Sequence, residues 1–184
     1  MIGAYDFCGH YEWTFAWLER EGGHGLVRDY LHEAIHLDSQ RHAGELILRE
    51  GIAGMKKYWG HALEQEVAGY HVTATDDVFR IDMHECPSKG FLIRNDLAQY
   101  RDYCDHCMGW IGPMLKAAGF AISHQHNHCG QCWWEMRRAD DATPPGKTGE
   151  LSGAHDVRLR ADWKQATPTD TYEHTNDSDE KTVS

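Results

Sequence analysis

Between Tyr103 and Met136 the chain reads YCDHCMGWIGPMLKAAGFAISHQHNHCGQCWWEM, which places four of its six cysteines and four of its fourteen histidines in 34 residues. Two CxxC pairs, Cys104/Cys107 and Cys129/Cys132, stand 21 residues apart, and a HQHNH run leads into the second. Thiolate and imidazole are the ligands that borderline-soft divalent metals prefer, and paired spacing lets a short chain wrap a tetrahedral ion. A chain built this way must bring two distant pairs together. The pattern points to a bound metal, zinc first and another divalent transition metal second.

At 184 residues the chain has the length of one domain with a substantial core. Seven Trp, eight Tyr and 41% hydrophobic residues predict a globular body rich in aromatic contacts. A net charge of −11 argues against a nucleic-acid partner, because phosphate binding needs a basic face. The N-terminal MIGAYDFCGHYEWTFAW lacks the basic n-region and apolar run of a signal peptide, and no stretch is apolar enough for a membrane span. Six cysteines without an export signal suggest a reducing, cytoplasmic setting, where clustered Cys bind metal more often than they pair. A periplasmic disulfide protein is the alternative.

Helical periodicity dominates the first 70 residues. Tyr11, Phe15 and Leu18 share one face, and Gly22-Gly23 is expected to stop that segment. A second pattern runs from Leu31 and Ile35 through Leu46 and Ile47 to Gly51, and a third from Met55 to Val67. The period then changes to two. Phe79, Ile81 and Met83 alternate with Arg80, Asp82 and His84 as in a half-buried strand, which Cys86-Pro87 ends. Residues 96–118 suit one or two helices. From Phe120 the alternation returns, with Ile122, His124, His126 and His128 on one parity and, after a short turn, Cys132, Trp134 and Met136 on another. This predicts a hairpin whose apolar face carries three histidines and Cys132. The expected fold is α+β, a helical N-terminal half on a small antiparallel sheet with a Cys/His metal site. Residues 1–138 form the domain, 139–164 a linker and docking segment, and 165–184 an acidic tail with too little apolar surface to order itself.

Two ligand sets fit the metal segment. Cys104, Cys107, Cys129 and Cys132 would close a structural zinc site. Strand parity instead joins His126 or His128 to Cys132, leaving Cys129 in the turn and a position open to activate water. A second signal is His32-Glu33-Ala34-Ile35-His36, a literal HExxH with His42 at the third-ligand spacing of metzincin proteases. There Glu33 would be a general base on a metal-held water. That pattern requires Gly where this chain has Ser39, and on one helix six residues turn His42 about 600° from His36. No sheet precedes the motif to hold a peptide. His32, His36 and His124 are therefore read as a second metal or pocket set, against the alternative of a solvated helix edge. Cys86, behind Glu85, is a candidate nucleophile set against the plainer reading of a buried small apolar residue. Most aromatics are expected in the core, and a few around a cavity for a flat small molecule.

The helical half, the strand ending in ECP, the cysteine-bearing helix ending in glycine and the closing GQCWWE resemble the L-2-amino-thiazoline-4-carboxylate hydrolase family. More distantly they resemble vinyl-reductase-type domains that bind small aromatic ligands and carry a Cys-rich zinc site. The carriers are Cys86-Pro87, Cys104 or Cys107, Gly119 and Cys132 with Trp133-Trp134, within residues 25–138. The HQHNH run and the HExxH lie outside that pattern. The resemblance implies an α+β domain around a small-molecule cavity, with ring-opening hydrolysis or ligand sensing as its task. The expectation is a metal-dependent hydrolase of a C–N bond in a heterocycle or amide, with His126, Glu33 and Cys86 as candidate catalytic residues. The alternatives are a binding or sensor domain braced by zinc, and a compact metalloprotease. The partner is a small-molecule substrate, with neither nucleic acid nor membrane, and a homo-oligomer is compatible.

Overall fold

A computed structural model of the protein describes residues 4–66, 68–97, 100 and 102–146. The expected tail and most of the docking segment, residues 147–184, lie outside the described residues. The order of elements is helical first, then mixed. Helix α1 (Ala4–Tyr30) does not stop at Gly22-Gly23 but kinks there, with Gly23 at φ 68°. Only glycine enters that region cheaply, so the chain turns and resumes its helix. Residues Leu31–Ser39 then form a π-helix, closed by the Gln40 N–H donating to the Ile35 carbonyl at 2.8 Å. The pattern expected as one helix to Gly51 is thus divided. Its second part is α2 (Arg41–Glu50), and α3 (Ile52–Gln65) follows after Gly51 at φ 60°. No helix among the described residues is long and apolar enough to cross a membrane.

Four antiparallel strands make one sheet in the order β1-β2-β4-β3: β1 (Gly69–Ala74), β2 (Val78–Glu85), β3 (Phe120–His126) and β4 (Cys132–Arg138). On β2 the expected alternation holds, with Phe79, Ile81 and Met83 buried. Arg80 is buried as well, because the strand register sets it opposite Glu135, whose carboxylate takes its guanidinium at 2.9 Å. Residues beyond Arg138 cover this second face. The Gly146 N–H donates to Glu135 at 2.9 Å, so the first part of the expected linker lies against the sheet.

Cys86-Pro87 ends β2 and also opens α4 (Pro87–Arg94), with the Cys86 sulfur accepting from the Lys89 N–H and Pro87 in the first turn. Proline lacks only an N–H that this position leaves unpaired. Within residues 96–118 the helix is α5 (Asp105–Ala117), preceded by Cys104.

Two apolar clusters result. One lies between the sheet and α2, α3 and α5, around Ile47, Met55, Trp59, Phe79, Ile81, Leu115 and Met136. The other joins α1, the π-helix and α4 through Phe15, Leu18, Leu31, Ile35, Leu92 and Tyr103. They meet imperfectly, and the gap between them is a cavity.

Candidate functional site

The cavity holds about 390 Å³, within the range of small-molecule sites. Tyr11, Tyr58, Trp59, Tyr103, Trp110 and Trp134 give it aromatic walls. Its polar groups come from element ends. The α4 start supplies Ser88 and Lys89. Ser88 shares a hydrogen with the Tyr103 hydroxyl at 2.5 Å, and the Lys89 ammonium, on a buried residue, sits 5.5 Å from the Tyr103 ring centroid. Across the wall the Tyr58 hydroxyl donates to Gln40 at 2.6 Å. Glu66, exposed at the rim, has its carboxyl pushed above the usual carboxylate range by the apolar groups around it.

Cys86, Cys104, Cys107 and Cys132 all line this cavity. Burial pushes each thiol up, Cys104 to about 12 and Cys107 and Cys132 well above the ordinary value, and the nearby Cys86 adds to all three. They are neutral at physiological pH, so Cys86, expected as a candidate nucleophile, stands here as a helix-capping thiol without thiolate character. No three cysteines bring their sulfurs within 4.8 Å of one another among the described residues. Cys129, expected beside Cys132, packs against the second apolar cluster instead. The CxxC spacing therefore places thiols around a space rather than around a point.

The tight ligand set is a different one. Asp105, His126 and His128 bring their ligand atoms within 4.8 Å of one another. His126 stands opposite Cys132 in the β3–β4 ladder, as strand parity predicts, and Asp105 opens α5 above it. His126 Nε2 lies 2.9 Å from Asp105 Oδ1, and the His128 ring meets His126 edge-on at 4.4 Å. That contact holds the Asp105 carboxyl below its ordinary value. His124 stacks behind His126 at 5.7 Å. Burial and the His126 neighbour push both His124 and His128 down, so their imidazoles are neutral and have lone pairs to offer.

His128 does not continue the strand. It has φ 57°, a left-handed conformation that is costly for a residue with a Cβ. Asn127 imposes it. Its Oδ1 accepts from the Cys129 N–H at 2.9 Å and the Gln131 N–H at 3.2 Å, while its Nδ2 donates to Gln131 at 3.1 Å. The turn throws the His128 ring back over His126. Two imidazoles and one carboxylate form a donor set found in catalytic metal sites, which leave a position open. Of the three, His126 lines the cavity, while the Asp105 side chain is 57% exposed.

His106 was not singled out by spacing and is the most perturbed histidine of the cavity. Its Nδ1–H donates to the Tyr103 carbonyl, and its ring packs 5.3 Å from Phe15 and 4.7 Å from Tyr103. Burial pushes its pKa down to about 4, so a neutral Nε2 remains, 3.7 Å from the Cys107 sulfur. Lys89, Ser88 and Asp105 were also missed. Asp105 had a legible signal, since it stands between Cys104 and His106, but cysteine spacing outweighed it.

The HExxH lies elsewhere. Ile35 reaches the cavity, but His32, Glu33 and His36 are not among its walls. Glu33 sits on the surface with its side chain 70% exposed, and His42 packs edge-on against Tyr58 at 5.7 Å. A second set of ligand type, Glu19, His24 and Asp102, lies by the α1 kink, where His24 bridges the two carboxylates at 3.1 and 3.7 Å. No protein-family model matches this chain, and no curated protein or solved structure is significantly similar to it.

Proposed function

We propose that the protein is a metal-dependent hydrolase of a small, flat molecule, cleaving a C–N bond of a heterocycle or amide at the mouth of the cavity. One observation carries this reading: His126 belongs both to the cavity wall and to the Asp105/His126/His128 set. A divalent ion held there supplies hydroxide at neutral pH and polarises the scissile group. The remaining roles fall to the chain. Trp59, Trp110 and Trp134 stack on a planar substrate and exclude water. Lys89 and the Ser88/Tyr103 pair orient its polar end. Glu66, held partly protonated by its apolar surroundings, gives a proton to the departing nitrogen. The neutral thiols keep the interior free of competing charge.

A second reading has one observation in its favour. Four thiols share the cavity, as in a binding or sensor domain that holds a soft metal or ligand through sulfur. The peptidase reading draws less support, because the HExxH lies off the cavity and His42 is engaged with Tyr58. The test is metal analysis together with turnover of a panel of cyclic amides and amidines. The double substitution D105N/H128A should abolish both divalent binding at this site and turnover, with the melting temperature within a few degrees of wild type. Retained turnover, or a native protein that takes up no divalent ion, refutes the hydrolase. Metal lost only with Cys104→Ser and Cys132→Ser favours the sensor.

A further inference from the structure

The π-helix carries a feature that the cavity does not use. A π-turn is rare in proteins and is retained mostly at functional sites. Here it spans nine residues and contains the whole of His32-Glu33-Ala34-Ile35-His36. The two imidazoles lie with ring centroids 5.4 Å apart and planes at 51°. His32 Nδ1 lies 2.9 Å from Glu33 Oε1. A carboxylate only accepts, so the proton is on Nδ1 and the lone pair of Nε2 is free. On His36 the Nδ1 atom is buried and has no hydrogen-bond partner.

The geometry points to a second metal site, in which His32 and His36 together hold one divalent late transition ion at the protein surface. With metal–nitrogen bonds of about 2.0–2.1 Å, each imidazole centroid stands about 3.2 Å from a shared ion. Centroids 5.4 Å apart then subtend about 115° at that ion, near the tetrahedral angle. The ion satisfies a ring nitrogen that otherwise has no partner. Glu33 is a positioning residue, the carboxylate that fixes the tautomer and orientation of a ligating histidine. It does not ligate, since no set of three ligand atoms within 4.8 Å includes it. The site is two-coordinate from the protein and open to solvent, with the His32 side chain 47% exposed. It lies outside the cavity wall and does not depend on the hydrolase reading.

The test uses the full chain, stripped with chelator and dialysed against Ni²⁺ at neutral pH. H32Q and H36Q should each lose about one equivalent of bound Ni²⁺ relative to wild type. H61Q, which removes an exposed histidine of α3, should lose none. H128A should keep this equivalent, which separates the surface site from the cavity mouth. E33Q should keep it with Kd raised about tenfold. Wild-type Ni²⁺ binding by H32Q, an equal loss in H61Q, or an unchanged Kd in E33Q overturns the proposal. H32Q alters an exposed ring and keeps the test decisive even if H36Q folds poorly.

Discussion

Acid should destabilise this protein through His106, and the size of the effect follows from its surroundings. The ring is enclosed by Phe15, Tyr103 and Tyr11, and burial pushes its pKa from the ordinary 6.5 to about 4. Between those values the unfolded chain binds a proton that the folded chain refuses, so stability is full above pH 6.5 and falls as pH drops toward 4. The difference in proton binding amounts to about 2 kcal/mol between pH 7.5 and 5, and about 3 kcal/mol by pH 4. For a chain of this size, 2 kcal/mol lowers the melting temperature by roughly 4–8 °C. His36, His124 and His128 are also pushed down and add loss of the same sign, so wild type alone cannot isolate His106. The comparison is with H106F, which keeps an aromatic ring in the stack and cannot protonate. Losing the hydrogen bond to the Tyr103 carbonyl lowers its stability by an amount independent of pH. Urea unfolding of both proteins, in chelator and followed by tryptophan fluorescence, gives the gap between them. That gap should shrink by about 2 kcal/mol in favour of H106F from pH 7.5 to 5. A gap constant to within about 0.5 kcal/mol would refute the enclosure of His106 as the cause.

Much of the fold was legible because hydrophobic period is a direct record of burial. Phe79, Ile81 and Met83 announce a strand, and Phe15 and Leu18 announce a helix face, since each element must bury one side. β1 escaped because it is a short edge strand with half-exposed side chains, which leave a weak alternation. α4 was hidden behind Pro87, read as a stop although proline also suits a first helical turn. The site divided in the same way. Strand parity correctly placed His126 beside Cys132, because the ladder carries period two across the sheet. Extending that parity to His128 failed, since the strand ends at His126 and Asn127 reverses the chain. Asp105 joins the histidines only through the docking of α5 on the hairpin, a tertiary fact with no local period. Cysteine spacing records how far apart thiols sit along the chain. It does not record whether they converge on an ion or enclose a cavity.

Two further substitutions probe what holds the hairpin in place. Glu135 is buried and takes Arg80, Arg137 and the Gly146 N–H, so E135Q should cost about 3 kcal/mol by leaving Arg80 under-compensated. E135M/R80M should cost less than the sum of the two single changes in urea unfolding, because the double change leaves neither charge buried alone. The last prediction concerns Asn127. N127A removes the acceptor of two backbone N–H groups, those of Cys129 and Gln131, at a cost of about 1–3 kcal/mol. It also frees His128 from φ 57°, so the ring need no longer lie over His126. Zn²⁺ affinity at the Asp105/His126/His128 set should fall at least tenfold by competition titration, although every ligand is still present. N127D keeps the accepting oxygen and should restore most of both stability and affinity. If N127A binds Zn²⁺ as wild type does, the strained turn has no part in placing His128, and His126 with Asp105 must hold the ion without it.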